Sequence, residues 1–390
     1  MEANSITILD ISTSVPLSSI GGAESVVYNL NKELMKRNFK ITTICYSDVK
    51  YTKETEMGKV VVLKVPKNEI LKVLIYPFKA LLEARKYKAD IIISEGPGNF
   101  GAGLLINLFA KKDAVYLERA HGTHYGLIEY MPKKSLHMQT FGRLIANVIE
   151  RYTFKKADYS IAVSKLAANE LEKYFGIDAS KIKVIYNGID LEKFKPANRL
   201  DSERLRRKLL IRKEDRCGIW VGGTDPYRKG LDIVLATAYL MKDTIFKIIG
   251  VDSVDAIEFM RKQGLDSDKL SNVEFLGKVP DNMKIKYYQA SDFLIFPSRH
   301  EGCAVVPAEA LACGLPIIIS NMTGVNEIIK SGEQGFVINI SNPEYYAAAI
   351  RKLDHEMGRK ARKLALLYGW KKQAKTYADL LLRLNKSRSS

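Results

Sequence analysis

Phe293-Leu294-Ile295-Phe296-Pro297-Ser298-Arg299-His300-Glu301-Gly302-Cys303-Ala304-Val305-Val306-Pro307-Ala308-Glu309-Ala310-Leu311-Ala312-Cys313-Gly314-Leu315-Pro316-Ile317-Ile318-Ile319-Ser320 is the stretch whose reading decides the fold. An apolar run stopped by proline is followed by a loop, a helical segment and a second apolar run, the order of a βαβ-type unit. Glu301 falls in the loop at the strand's carboxyl end, and Glu309, eight positions on, falls in the helix. The first turn of that helix presents backbone N–H groups without intrahelical partners, so an anion fits between the two carboxylates.

The same alternation extends outward in both directions. Ile6–Ile11 is a strand, and a Ser/Pro loop, Gly21-Gly22 and a helix over residues 23–37 follow, with Val26, Val27, Leu30 and Leu34 facing inward. Strands are expected at 41–45, 60–63, 91–93, 114–117 and 160–163, and the series ends at Val184-Ile185-Tyr186-Asn187-Gly188-Ile189-Asp190. Lys195-Pro196 and a charged stretch through Asp215 punctuate the chain. A second series then runs through 218–223, 246–250, 273–277, 293–296 and 316–320. The expected class is α/β, with two Rossmann-like doubly wound sheets facing a central cleft. The domains are placed at 1–193 and 194–367, with a closing helix at 368–390.

At 390 residues and 46% hydrophobic, the chain has enough apolar surface for two cores and is not disordered as a whole. Its start lacks the basic and apolar regions of a signal peptide, and no run approaches the roughly eighteen uncharged residues of a membrane span, so a cytoplasmic location is expected. Cys45, Cys217, Cys303 and Cys313 lack zinc-ligand spacing and the look of a disulfide framework, and are read as reduced packing residues. A net charge of +17 implies an anionic partner: nucleic acid, an acidic membrane leaflet or phosphorylated substrates. Residues 67–88 interleave Ile70, Leu71, Leu74, Ile75, Phe78, Leu81 and Leu82 with six basic side chains, forming a basic amphipathic helix in which Pro77 marks a kink or break. A second basic stretch at 133–156 has Phe141, Leu144, Ile145, Val148 and Ile149 at helical spacing. Such helices pack on a sheet, lie peripherally on anionic lipid, or do both.

The E-x7-E segment resembles the retaining GT-B glycosyltransferases of family 4, whose pattern runs roughly S-x-x-E-G-F-G-x-x-x-x-E-A-x-A-x-G-x-P-V. Ser298, Glu301, Gly302, Glu309, Ala310, Ala312, Gly314 and Pro316 match it, while Cys303 and Ala304 replace Phe-Gly. The resemblance covers nearly the whole chain: Gly21-Gly22-Ala23-Glu24 after the first strand, Val163-Ser164, Asn187-Gly188 with Asp190, Arg228-Lys229-Gly230, the two glutamates and a terminal helix after Trp370. Many relatives carry an arginine directly after the glycine ending the strand where Gly223-Thr224 stand here, and Arg228 is a candidate to replace it.

The resemblance implies transfer of a hexose-type sugar from a UDP- or GDP-sugar donor to an acceptor hydroxyl, with retention of anomeric configuration. It requires no protein nucleophile and no metal or other cofactor. The acceptor would be a glycan or a lipid-linked or membrane-embedded molecule. Among the site residues so implied, His121 and Glu301 contact the transferred sugar, and Arg228 and Lys229 neutralise the leaving diphosphate. Glu309 holds the ribose, and Lys278-Val279-Pro280 border the base. The backbone around Cys303, Ala304, Val305 and Val306 meets the phosphates, and Gly21-Gly22 admit phosphate or acceptor close to the chain. Of His121 and His124, the former is preferred because glycine follows it. Two other classes share features of this sequence. A nucleotide-sugar epimerase would form product without an acceptor. A basic nucleic-acid-binding protein fits the charge but lacks a recognition-helix motif.

Overall fold

The computed structural model describes residues 5–13, 22–96, 99–129, 140–223, 225–265, 270–339 and 342–389. The chain divides into two compact units, Met1–Gly188 with Trp370–Ser390, and Ile189–Gly369.

Unit 1 contains β1 (Thr7–Ile11), α1 (Gly22–Met35), β2 (Lys40–Ser47), β3 (Tyr51–Thr55), β4 (Gly58–Lys64), α2 (Glu69–Ala84), β5 (Ile91–Ser94) and α3 (Ala102–Phe109). It continues through β6 (Val115–Ala120), α4 (His124–Glu129), α5 (Thr140–Lys156), β7 (Tyr159–Ala162), α6 (Lys165–Glu170) with a π-helical turn at Leu171–Phe175, and β8 (Ile182–Val184). The strands form one sheet in the order β3-β4-β2-β1-β5-β6-β7-β8. All neighbours are parallel except β3 and β4. The edge strand β3 was not expected: Tyr51-Thr52-Lys53-Glu54-Thr55 has no apolar face, and it pairs with β4 through a turn in which Gly58 takes a φ of 102°. The helix over residues 69–84 is continuous with Pro77 inside it, so the expected break does not occur.

Unit 2 contains α7 (Arg199–Lys208), β9 (Arg216–Val221), α8 (Leu231–Leu240), β10 (Thr244–Ile249), α9 (Ser253–Gln263), β11 (Val273–Phe275), α10 (Asp281–Ala290) and β12 (Phe293–Phe296). There follow α11 (Val305–Ala312), β13 (Ile317–Ser320), β14 (Gly335–Ile338), α12 (Pro343–Arg351) and α13 (His355–Ala365). The sheet is wholly parallel, in the order β11-β10-β9-β12-β13-β14. Period-2 alternation sorts each strand between two cores. Ile219, Val221, Leu294, Phe296, Ile317 and Ile319 pack on the side of α11 and α13, while Trp220, Phe246, Ile248, Phe293, Ile295 and Ile318 pack on the side of α8 and α12. Both faces of these strands are covered, which is why they read as unbroken apolar runs.

The last helix, α14 (Trp370–Ser389), belongs to unit 1 and packs against α1. Residues 189–193 fall in unit 2, where Ile189 bridges to Gly369. Gly188 and Trp370 meet so closely that a Cβ at 188 would lie 2.3 Å from the indole, which gives the Asn-Gly signal and the terminal tryptophan a common physical cause.

Candidate active site

In unit 2 the strand order reverses direction between β9 and β12, the switch point outside whose carboxyl ends doubly wound sheets bind ligands. The loops leaving these two strands carry the candidate residues. After β9 come Gly222, Gly223 and the Asp225–Gly230 turn. Gly230 has a φ of 72°, and a Cβ there would lie 2.1 Å from the Pro297 carbonyl oxygen, so only glycine lets the two loops touch. Backbone bonds complete the junction: Arg299 N–H donates to the Arg228 carbonyl at 2.7 Å, and the Ser298 hydroxyl donates to the same oxygen at 3.1 Å. The Arg299 guanidinium forms a bidentate pair with Asp232 at 2.8 and 2.6 Å and lies 3.9 Å over the Tyr227 ring.

This junction brings Arg228, Lys229 and Glu301 together. Lys229 Nζ is 2.5 Å and Arg228 Nη1 2.8 Å from Glu301 Oε1, which also accepts from Ser298 Oγ at 3.2 Å. Burial alone would raise the Glu301 pKa, but Lys229 and Arg228, in that order, overcome it and hold the carboxyl below its usual range. Arg228 is also fastened to Asp225 at 3.2 Å and to the His300 carbonyl at 3.0 Å, so its guanidinium braces the loop. Trp220 Nε1 donates to the Lys229 carbonyl at 3.1 Å, fixing the backbone of the lysine from beneath.

Glu309 lies elsewhere on α11 and pairs with a different element. Lys284 of α10 is 3.1 and 3.0 Å from its two oxygens, and the Tyr288 hydroxyl donates to it at 3.0 Å. Among the described residues no ion pair joins Glu309 to the Glu301 group. Burial is the larger influence here, and the Glu309 pKa rises despite Lys284. Lys284 and Tyr288 carry no sequence signal beyond an i, i+4 spacing on one helix, and the reading of the sequence missed them. It also missed a brace under the Glu301 loop. Glu301 and Ala304 N–H donate to the Met322 and Thr323 carbonyls at 2.9 and 3.1 Å. A Cβ at Gly324 would sit 2.1 Å from the Gly302 carbonyl oxygen. The Ala304 N–H is thereby committed inside the protein and is not offered to a ligand. Ala304 is the N-cap of α11 and makes no side-chain cap, so the amides of Val305 and Val306 in the first turn have no capping side chain. Cys303 is half-buried beside Ala304, and Val279 packs on the core near α10.

In unit 1 the strand order reverses between β1 and β5. Gly22 opens α1, while Gly21 and the loop before it lie outside the described residues. His121 follows β6, and its Nε2 is 2.8 Å from Glu95 Oε2; His124 begins α4. Ser164 is the N-cap of α6, accepting from Ala167 N–H at 3.0 Å, and Asp190 accepts from Glu192 and Lys193 N–H at 3.2 and 3.0 Å. These two motif residues cap local structure.

A parallel α/β unit with cations, a carboxylate and an uncapped helix start at its switch point is an arrangement of the kind with which doubly wound folds bind anions. Residues 20–193 match the model of Glycosyltransferase Family 4 and residues 201–365 that of Glycosyl transferases group 1, and the chain belongs to this GT-B family. It is 27% identical over 220 residues to D-inositol 3-phosphate glycosyltransferase of Thermomonospora curvata, a match covering 53% of this chain and 51% of that one; the chain spans about half the length of that curated relative. Sucrose-phosphate synthase from Thermosynechococcus elongatus superimposes with a TM-score of 0.84 at 20% identity, over 98% of this chain and 100% of the other. Anabaena HepE in complex with UDP and glucose gives 0.74 at 20% identity, over 97% and 100%.

Proposed function

We propose that this protein transfers a hexose from a nucleoside-diphosphate sugar to an acceptor hydroxyl with retention of configuration. The observation that carries this reading is the Lys229–Glu301–Arg228 cluster beside the uncapped start of α11 at the β9/β12 switch point. The donor's diphosphate meets the Val305 and Val306 amides and takes over Lys229 as a counter-cation. As the bond from the anomeric carbon to the leaving phosphate oxygen breaks, Lys229 neutralises the charge that develops on the diphosphate. The acceptor oxygen bonds to the anomeric carbon from the same face, and its proton passes to the departing phosphate oxygen. Glu301, kept ionised by its cations, accepts from sugar hydroxyls, and Glu309 accepts from the ribose. Arg228 acts by holding the Glu301 loop. The likeness to a UDP- and glucose-bound structure supports a uridine nucleotide as the first donor to test.

The acceptor is proposed to lie at an anionic lipid surface. Leu71, Leu74, Phe78 and Leu82 form an exposed stripe along α2, with Phe78 63% exposed, and Lys67, Lys79, Arg85 and Lys86 flank it. No helix among the described residues is long and apolar enough to cross a membrane. A thermal-shift screen against UDP-, GDP- and ADP-sugars tests the donor reading, and the absence of any shift would end it. Conversion of a nucleotide sugar to another without acceptor would mark an epimerase instead. Co-sedimentation with phosphatidylglycerol vesicles, lost in Phe78→Glu and at high salt, tests the lipid reading.

A further inference from the structure

A carboxylate offers about four lone-pair sites on its two oxygens, and unit 2 itself fills most of those on Glu309. Lys284 Nζ donates to Oε1 at 3.1 Å and stands 3.0 Å from Oε2, while the Tyr288 hydroxyl donates to Oε2 at 3.0 Å. Among the described residues no other donor reaches this carboxylate, which leaves one site on Oε1. The Glu309 side chain is 13% exposed, so a ligand can approach it. Lys284 and Tyr288 stand one turn apart on α10, and both are held from behind. The fully buried Tyr288 ring packs edge-on against Phe194, with the ring centroids 6.3 Å apart. The Lys284 ammonium lies 5.6 Å over the same Phe194 ring and 3.5 Å from Asp281, which also pairs with Lys193 at 2.6 Å.

We propose that Lys284 and Tyr288 are positioning residues of Glu309 that leave it a single accepting site, so that it takes one ribose hydroxyl of the nucleotide and not the pair. A carboxylate with both oxygens bare would accept from both hydroxyls, and losing either would weaken the nucleotide alike. Here Oε2 is shut by a phenol locked in the core, and only Oε1 has room. Both neighbours are donors. Burial opposes the charge on Lys284, but Glu309 and then Asp281 outweigh it and hold its pKa above the usual lysine range. Burial and then Glu309 push the Tyr288 phenol well up, so it keeps its proton. A charged ammonium and a phenol directed at one carboxylate suit its ionised form, which only accepts. Burial still raises the Glu309 pKa, so the measurement belongs above neutral pH. The outcome is a lopsided reading of the ribose, in which Glu309 recognises one hydroxyl and ignores the other.

This rests on the proposed contact of Glu309 with the ribose, and the test tells the two apart. Calorimetry on the full chain at about pH 8 compares UDP with 2′-deoxy-UDP and 3′-deoxy-UDP. Losing the hydroxyl that Oε1 accepts should raise Kd about tenfold or more, the worth of a hydrogen bond to a charged acceptor, and losing the other should change it by less than about twofold. Equal losses with the two analogues would mean that Glu309 grips both hydroxyls, which overturns the assignment and keeps the ribose contact. Two analogues that both bind as UDP does would remove the ribose from Glu309 and overturn both. The difference between the analogues should vanish in Glu309→Ala, and its persistence there would give the hydroxyl to another group and overturn the assignment. Tyr288→Phe keeps the ring in its core and frees Oε2, so removal of the second hydroxyl should then cost about fivefold as well. An unchanged pattern in that variant would show that the phenol does not limit Glu309, and overturns the assignment even if Glu309→Ala does not fold.

Discussion

Glu301 in unit 2 is a partly buried carboxylate on a loop and Glu118 in unit 1 a fully buried one on a strand, and their acidities move in opposite directions. Glu301 touches two cations, and its pKa falls. Glu118 touches none: the Tyr116 hydroxyl donates to it at 2.5 Å, Glu95 and Glu150 add negative charge, and burial drives its pKa to about 8. Glu309, with one lysine, lies between, its pKa raised but with Lys284 opposing the rise. Across the series burial pushes a carboxylate toward its neutral form and neighbouring cations oppose that push. In unit 2 two basic residues hold Glu301 in its ionised form close to the start of α11.

Removing the cation should have the largest consequence. Lys229→Ala is expected to lower the turnover of UDP-glucose by about 10²–10³, the usual cost of losing one preorganised donor to developing charge. A loss under tenfold would show that Lys229 only pairs with Glu301. Next comes the carboxylate itself. Glu301→Gln leaves Lys229 and Arg228 facing each other without their shared anion, and since all three side chains keep some exposure the cost should fall below that of a fully buried pair, at about 2 kcal/mol. Glu309→Gln should cost less, since that group is already biased toward its neutral form. Urea denaturation at neutral pH measures both, and equal losses would erase the distinction between the two glutamates.

The unit 1 side of the comparison is tested by pH. The Glu118 pKa rises on folding from 4.5 to about 8, so the folded state holds a proton that the unfolded state releases. The contribution is complete below about pH 4.5 and is lost as the pH climbs through 8, with a limiting slope of about 1.4 kcal/mol per pH unit. Glu118→Gln mimics the protonated form at every pH. It should be more stable than the wild type at pH 8.5 and nearly equal to it at pH 5. Parallel stability curves for the two proteins would show that Glu118 is ionised in the native state.

Much of this was legible in the residues. Apolar runs such as Ile317–Ile319 are buried on both faces, so composition alone marks them as strands, and the spacing of Glu301 and Glu309 places one on a loop and the other on a helix. The partners were not legible. Lys284, Tyr288 and the Met322–Gly324 brace meet the site only through tertiary packing, because nothing local distinguishes a lysine that pairs with Glu309 from one in solvent. Glu95 was hidden for the same reason, since its neighbour His121 lies on another strand connection. The polar strand β3 escaped because it packs no apolar face, and its pairing depends on Gly58 and β4 rather than on its own side chains.

The smallest predicted effect separates two adjacent glycines. A Cβ at Gly222 would lie 1.9 Å from the Trp220 ring, while a Cβ at Gly223 meets nothing within 4 Å. Trp220 is fully buried and donates to the Lys229 carbonyl, so Gly222→Ala must displace the indole that supports the lysine and should cost about 1–3 kcal/mol. Gly223→Ala should change stability by no more than about 0.5 kcal/mol, as substitutions into open space do. Arg228 is fastened to Asp225, the His300 carbonyl and Glu301, and the space beside Gly223 is open. Gly223→Arg therefore adds a cation without displacing one, and tighter binding of UDP in calorimetry is the expected result. Unchanged or weaker UDP binding, with Gly223→Ala neutral as predicted, would mean that the diphosphate does not pass beside residue 223 and that Lys229 carries the phosphate contact of this loop alone.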